Sequence, residues 1–294
     1  MQKLKPWLLA ARPKTLGAAI APVLVGSTLG WKLSGQFCLW HALATLGSCI
    51  CLQIATNLFN DAVDGLKGSD TKERLGPVRI TASGMMSAKT VMKVAAGVLA
   101  LAALLAVPLF IYRGWPIVAI GIPSLWFCYG YTGGPMPLAY RGLGELFVVF
   151  FFGLVAVTGS AFVQSGYWHF EAVIAGLQIG MLSTVLIAIN NLRDIEEDTK
   201  TGKRTLAVRF GKKFARWEIG TLLATSLFLN LYWRILIKGS QNITFLNLVL
   251  ILGGFRILKD VNSGPSQALN TTLAGAGLML IVFAILFCVL LVHP

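Results

Sequence analysis

Two stretches of this chain carry carboxylates at spacings that a helix stacks turn upon turn. The first, NLFNDAVDGLKGSD at 57–70, closes a long apolar run and places Asn57, Asp61 and Asp64 at i, i+4 and i+7. The second, NNLRDIEEDTKTGKRT at 190–205, closes another and places Asn191, Asp194 and Asp198 at i, i+3 and i+7. If each preceding helix continues through its motif, each set shares one helical face. Carboxylates one turn apart repel by roughly a few tenths of a kcal/mol when exposed, and by more when dry. Helix-end solvation and local salt bridges explain one such motif as well. Two copies on the same side, each with Asn and basic neighbours, are explained better as a shared cation site.

Asp and Asn oxygens are hard ligands, suited to Mg²⁺ far better than to Zn²⁺ or copper. Mg²⁺ takes one or two carboxylates and shares its other positions with water and substrate phosphates. Asp61, Asp64, Asp194 and Asp198 are the candidate ligands and catalytic groups, and Arg74, Arg79, Lys203 and Arg204 could neutralise a phosphate-bearing substrate. Metal and cations together would stabilise diphosphate as a leaving group. The substrate's other end would then lie among apolar helices, which makes a lipid-tailed diphosphate the natural candidate.

The elements that position these groups are membrane helices. Of the 294 residues, 56% are hydrophobic and 13% are charged, where a soluble domain carries about 25% charged residues. Spans of roughly 20 apolar residues are expected near 15–33, 38–59, 91–112, 115–131, 143–165, 171–191, 217–237, 243–258 and 272–292. They read as one all-α transmembrane domain over 1–294, N-terminus cytoplasmic, capped by polar loops at about 60–90 and 192–216. The net charge of +13 invites a nucleic-acid partner. Threading the spans argues against one: 21 of the 25 Lys and Arg fall on the cytoplasmic side, which is the positive-inside rule. The protein is expected in the cell's inner (plasma) membrane with its polar site facing the cytoplasm.

Smaller features complete the reading. The five cysteines show no metal-ligand spacing and read as packed thiols. The first residues have too short an apolar core for a signal peptide. Glu145 opens the fifth span, where a carboxylate either favours the helix N-terminus or serves the site. His41 and His169, near the opposite ends of spans, read as packing or interface residues. The two acidic motifs lie about 130 residues apart, each after an even-numbered span, which suggests two parallel four-helix halves with a ninth helix appended. The last three spans read as apolar, with few interior polar groups.

NDAVDGLKGSD (60–70) and NNLRDIEEDTKTGKRTLAVRFG (190–211) resemble the paired aspartate motifs of the UbiA family of intramembrane aromatic prenyltransferases. RPKTL (12–16), RLGPVRITASG (74–84) and YTGGPMPLAYRGLGELFVVFFFG (131–153) resemble its 1,4-dihydroxy-2-naphthoate branch. The resemblance covers about 10–215 in five ordered segments. It implies nine helices around a central cavity open laterally to lipid, with Mg²⁺ and an isoprenoid diphosphate between the motifs. Asn57, Asn60, Asp61 and Asp64 match the first motif, and Asp194 and Asp198 the second, with Asn190 and Asn191 beside them. One departure stands out. Where many relatives have a further Asp, four residues beyond Asp64, this chain has Gly68, leaving Asp70 as the nearest substitute ligand.

The implied reaction moves an isoprenoid chain, polyprenyl or phytyl, onto the carboxylated carbon of 1,4-dihydroxy-2-naphthoate, with loss of CO₂ and diphosphate. Glu145 or a motif carboxylate would take a ring proton, an Arg or Lys would hold the acceptor's carboxylate, and Lys14 of the RPKTL segment is a further candidate for substrate binding. Physical chemistry does not choose between this acceptor and 4-hydroxybenzoate, homogentisate or a porphyrin-type ring; the branch segments do. A secondary transporter would keep charged residues mid-membrane. None lies in the middle of an expected span.

Overall fold

The computed structural model describes residues 5–69, 75–236 and 243–293. Asp70 and Arg74, both expected in the site, lie outside the described residues. A short helix α1 (Lys5–Ala11) and a 3₁₀ turn (Pro13–Thr15) lead into α2 (Gly17–Ser34). Then follow α3 (Leu39–Leu66), α4 (Ala88–Arg113), α5 (Trp115–Gly130) and α6 (Gly144–Ser165), which widens to a π-helix at Val149–Val155. The chain ends with α7 (Phe170–Arg193), the short α8 (Ile195–Lys200), α9 (Leu206–Leu236), whose helical path is broken by a kink at Gly211 (φ 84°, ψ 173°), α10 (Ile243–Ser263) and α11 (Leu269–Val292). Among the described residues there is no strand.

Each expected span falls on a helix. Among the described residues, five helical segments are long and apolar enough to cross a membrane: Leu39–Leu66, Ala88–Arg113, Gly144–Ser165, Phe170–Arg193 and Ser266–Val292. A sixth qualifies if Lys5–Thr15 and Gly17–Ser34, bent by 49°, are taken together. The apolar α5 has 16 residues, short of the roughly 20 that a straight crossing takes. The protein is an all-α, multi-pass membrane protein.

Local sequence sets the turns. Gly114 (φ 73°) and Gly166 (φ 81°) supply left-sided backbone at two helix ends, where an L side chain is disfavoured. Ser87 caps α4 by accepting from the Thr90 amide at 3.2 Å. Gly153 in the π segment meets Gly176 and Gly180 of α7, so the two backbones pack with no room for a Cβ.

The last third is less plain than its sequence suggests. Ser226 and Asn230 are buried within it and join a polar ladder with Gln178 of α7. The Gln178 amide donates to Ser226 O and Asn230 Oδ1, both at 2.7 Å, and accepts from Trp233 Nε1 at 2.9 Å. Asn230 in turn donates to Asn247 Oδ1 at 2.8 Å. Buried amides in apolar surroundings are costly unless paired, so this ladder fixes how α7, α9 and α10 face one another.

The two acidic motifs end their helices differently. Helix α3 runs unbroken to Leu66, so Asn57, Asn60, Asp61 and Asp64 stay on one helix. Helix α7 stops at Arg193, with Asp194 (φ −93°, ψ 8°) breaking the helical path before α8. Asp198 therefore sits on a second short helix, and the expected single face for the second motif does not form.

Candidate active site

Asn57 anchors the first turn of the site. Its Nδ2 donates to Ala11 O at 2.9 Å and to Thr15 Oγ1 at 3.1 Å, which ties the 11–15 strap to α3. The strap bends at Arg12, the one described non-glycine residue with positive φ (53°), and it brings Arg12, Lys14 and Thr15 to the wall of a cavity of about 450 Å³. Asn60, also on that wall, accepts from the Thr132 hydroxyl.

Asp61 and Asp64 diverge. Asp61, 1% exposed, accepts from the backbone amides of Ile80 at 3.0 Å and Thr81 at 2.9 Å. Both its oxygens are thus occupied in pinning the 79–86 segment to α3, and it lies outside the cavity lining. Asp64, 2% exposed, does line the cavity. Its Oδ2 lies 3.0 Å from Lys203 Nζ and 3.3 Å from Arg79 Nη2, and its Oδ1 accepts from the Tyr140 hydroxyl at 2.8 Å. With its only proton committed to Asp64, Tyr140 must accept from Ser69 Oγ at 2.7 Å. Burial, then the adjacent Asp64 charge, pushes the Tyr140 phenol above its ordinary value. Lys67 Nζ lies 4.0 Å from the centre of the Tyr140 ring and donates to Thr132 O at 2.8 Å.

The second motif supplies the opposite wall. Asn190, Asn191, Asp194 and Asp198 all line the cavity, as do Arg79 and Lys203. Arg193 clamps Asp194 through Nε and Nη2, both at 2.6 Å, and also donates to Asn190 Oδ1 at 2.7 Å and Asn270 Oδ1 at 2.8 Å. Asn191 Nδ2 donates to Glu145 Oε1 at 2.7 Å. Glu145 is 5% exposed, and its Oε2 is shielded from solvent with no hydrogen-bond partner among the described residues. Arg204, expected to bind substrate, is exposed and outside the cavity lining.

An apolar chamber of about 170 Å³ adjoins this polar one. Ala18, Gln53, Thr56, Phe147 and Phe152 line both and form the neck between them. Beyond the neck the walls are chiefly Leu, Ile, Val, Ala and Phe, including Phe127 and Phe151, which stack edge-on at 5.3 Å. One end of the combined space therefore suits a multiply charged group and the other a hydrocarbon.

Among the described residues, the side-chain groups facing the polar chamber that could ligate a metal include carboxylate and amide oxygens, with no sulfur or imidazole. That chemistry fits a hard divalent cation. Among the described residues no three His, Cys, Asp or Glu side chains converge as a ready-made metal cluster. Asp64 is instead balanced by Lys203 and Arg79, cations that a metal or a phosphate would have to displace or share.

Several contributors carried no signal in the sequence. Tyr140 and Ser69 lie in connecting segments and Asn270 at the start of α11, and their partners come from 71 to 195 residues away. Gln53 reads as one more polar residue late in a span. Arg193, adjacent to Asp194, was visible only as a neighbour.

The model of the UbiA prenyltransferase family matches residues 19–268. A 1,4-dihydroxy-2-naphthoate octaprenyltransferase of Haemophilus influenzae is 34% identical over 97% of this chain and 95% of its own. One of Mycobacterium leprae is 32% identical over 97% and 95%. Among solved structures, a UbiA homolog from Archaeoglobus fulgidus bound to GPP and Mg²⁺ superposes with a TM-score of 0.70 at 16% identity, covering 98% of this chain and 99% of that one. With a family match over most of its length and full-length relatives of this identity, the chain belongs to the UbiA prenyltransferase family.

Proposed function

We propose that the protein transfers the isoprenoid chain of a polyprenyl (or phytyl) diphosphate to 1,4-dihydroxy-2-naphthoate, releasing CO₂ and diphosphate, in menaquinone or phylloquinone biosynthesis. The observation that carries this reading is the pair of adjoining chambers, one lined by carboxylates and cations and one chiefly by hydrocarbon, which share a wall of five residues. Diphosphate in the first and the tail in the second would leave the bond between them at the neck. The relatives named for this acceptor support the choice of ring.

Lys203, Arg79 and Lys14 would hold the diphosphate. Bound Mg²⁺, held by Asp64, Asp194 and Asp198 with Asn60 nearby, would supply Lewis-acid stabilisation of the leaving group. Asp61 would act by position, keeping the 79–86 segment and Arg79 in place. The C1–O bond of the prenyl diphosphate breaks with its electron pair going to diphosphate. The neck walls of Phe147 and Phe152 exclude water from the allylic cation. Glu145 Oε2 takes a ring-hydroxyl proton, the carboxylated ring carbon attacks C1, and the C–CO₂ bond breaks to restore aromaticity. Glu145 then returns its proton to the ring oxygen.

The positive-inside charge balance supports a polar chamber facing the cytoplasm from the inner membrane. Nine spans in one domain, with 60–90 and 192–216 as caps, are part of the same proposal.

The test is an assay of membranes supplied with dihydroxynaphthoate and a long prenyl diphosphate, in Mg²⁺ or excess chelator. Mg²⁺-dependent CO₂ release with a prenylated naphthoquinol product, lost in Asp64→Asn, is the expected result. Turnover of 4-hydroxybenzoate alone would move the acceptor. No turnover of any aromatic acid by folded protein would overturn the reading.

A further inference from the structure

Gln53 stands at the neck with half of its amide unused. Its Nε2 lies 3.4 Å from Asn57 Oδ1 and 3.4 Å from Thr15 Oγ1, whereas its Oε1 is shielded from solvent and has no hydrogen-bond partner among the described residues. The orientation follows from its neighbours. Asn57 must present its NH₂ to the Ala11 carbonyl, which can only accept. That turns Asn57 Oδ1 toward Gln53 and requires a donor from it, so the Gln53 NH₂ faces the strap and its carbonyl oxygen faces away. A buried, unpaired carbonyl oxygen is an acceptor in want of a donor.

We propose that Gln53 Oε1 accepts a hydrogen bond from a ring hydroxyl of the aromatic acceptor and so sets the ring across the neck, over the carbon that diphosphate leaves. This rests on the prenyl-transfer reading above. Of the species that reaction brings together, diphosphate under cations and metal offers only acceptors, and an isoprenoid tail offers no polar group. The dihydroxylated ring is the one with an O–H to give. Gln53 is also placed for the task, because it lines both chambers, with Phe147 and Phe152 for the ring to lie against. Glu145 lines the polar chamber only. One hydroxyl on each would fix the ring at two points, a neutral acceptor on one side and a base on the other.

The experiment compares wild type, Gln53→Met and Gln53→Glu in the Mg²⁺ assay. It measures KM for both substrates and inhibition by 1-hydroxy-2-naphthoate and 4-hydroxy-2-naphthoate, each lacking one ring hydroxyl. Methionine keeps the volume and removes the acceptor. Each analogue keeps one of the two hydroxyls, so Gln53→Met is expected to weaken only the analogue whose remaining hydroxyl meets Gln53, by about tenfold or more. The same variant should raise the acceptor KM by a similar factor, with the prenyl diphosphate KM and the affinity for the other analogue unchanged. Gln53→Glu, which keeps an acceptor oxygen, should hold that analogue more tightly than Gln53→Met does. An unchanged prenyl diphosphate KM also shows that the Met variant is folded. Affinities for both analogues unchanged between wild type and Gln53→Met, with dihydroxynaphthoate turned over by both, would overturn the assignment to Gln53. Absence of dihydroxynaphthoate turnover by wild type would overturn the functional reading and this assignment with it.

Discussion

Lys203 Nζ lies 3.0 Å from Asp64 Oδ2 and thereby joins two polar segments 139 residues apart in sequence. Asp64 also takes Arg79 and Tyr140, so one carboxylate ties α3 to three connecting segments. Partners of this kind are strong because both ends are charged and largely dry. They also balance the Asp64 charge before any substrate enters, and in the proposed reading a diphosphate would take over Lys203 and Arg79 and leave Asp64 to hold the metal.

Removing Lys203 should therefore act on both stability and function. Lys203→Ala leaves Asp64 with Arg79 and Tyr140, so unfolding in detergent should be easier by about 1.5–3 kcal/mol, the range for a hydrogen bond to a charged group. The KM for prenyl diphosphate should rise while the acceptor KM stays put. A variant as stable as wild type with unchanged KM would show that the bridge does neither.

Asp61 and Asp64 are expected to separate in a metal titration. Asp61→Ala strands the amides of Ile80 and Thr81, which should destabilise the protein by roughly 1–3 kcal/mol and slow turnover by letting the 79–86 segment shift. Its midpoint for Mg²⁺ activation should match wild type. Asp64→Asn should instead move that midpoint to higher Mg²⁺ or abolish activation. An Asp61→Ala midpoint shifted as far as that of Asp64→Asn would return Asp61 to the metal.

The contrast shows what spacing can and cannot say. Residues 61 and 64 sit about 60° apart around a helix, close enough to look like one face and far enough for one to meet a backbone segment and the other a cavity. The long apolar runs were legible because membrane helices follow from composition, and α3 continues through its motif as expected. The break at Asp194 was not legible, since nothing in NNLRDIEED forbids helix; it comes with the Arg193 clamp and the docking of Asn270. Arg204 read like Lys203 from its charge alone. Only the fold turns one inward and the other to solvent. Tyr140 and Gln53 owe their roles to partners that no local pattern names.

Tyr140 gives the cap a pH limit. Its phenol is raised by burial and by Asp64, so the folded state favours the neutral form. A group raised on folding contributes stability that is fully present below its ordinary value, about 10 for tyrosine, and is lost as pH rises through the folded value. The stability difference between wild type and Tyr140→Phe should be constant across pH 6–9 and shrink above about pH 10. A difference that grows in that alkaline range would contradict the buried, neutral phenol.

Glu145 is the sharpest test of the chemistry. Glu145→Gln keeps an amide oxygen for the Asn191 donor, so the fold should hold, while the acceptor KM rises because an NH₂ replaces the oxygen that receives the ring hydroxyl. The variant cannot take a proton, and kcat should fall by about 10²–10⁴, the usual contribution of a positioned general base. The pH profile separates this from a merely structural loss. Without its base the variant depends on acceptor already ionised in solution, so its rate should climb tenfold per pH unit below the hydroxyl's own pKa, closing the gap to wild type. A variant whose rate stays parallel to that of wild type at every pH would place Glu145 in support of Asn191 and α7 and leave the proton to another group.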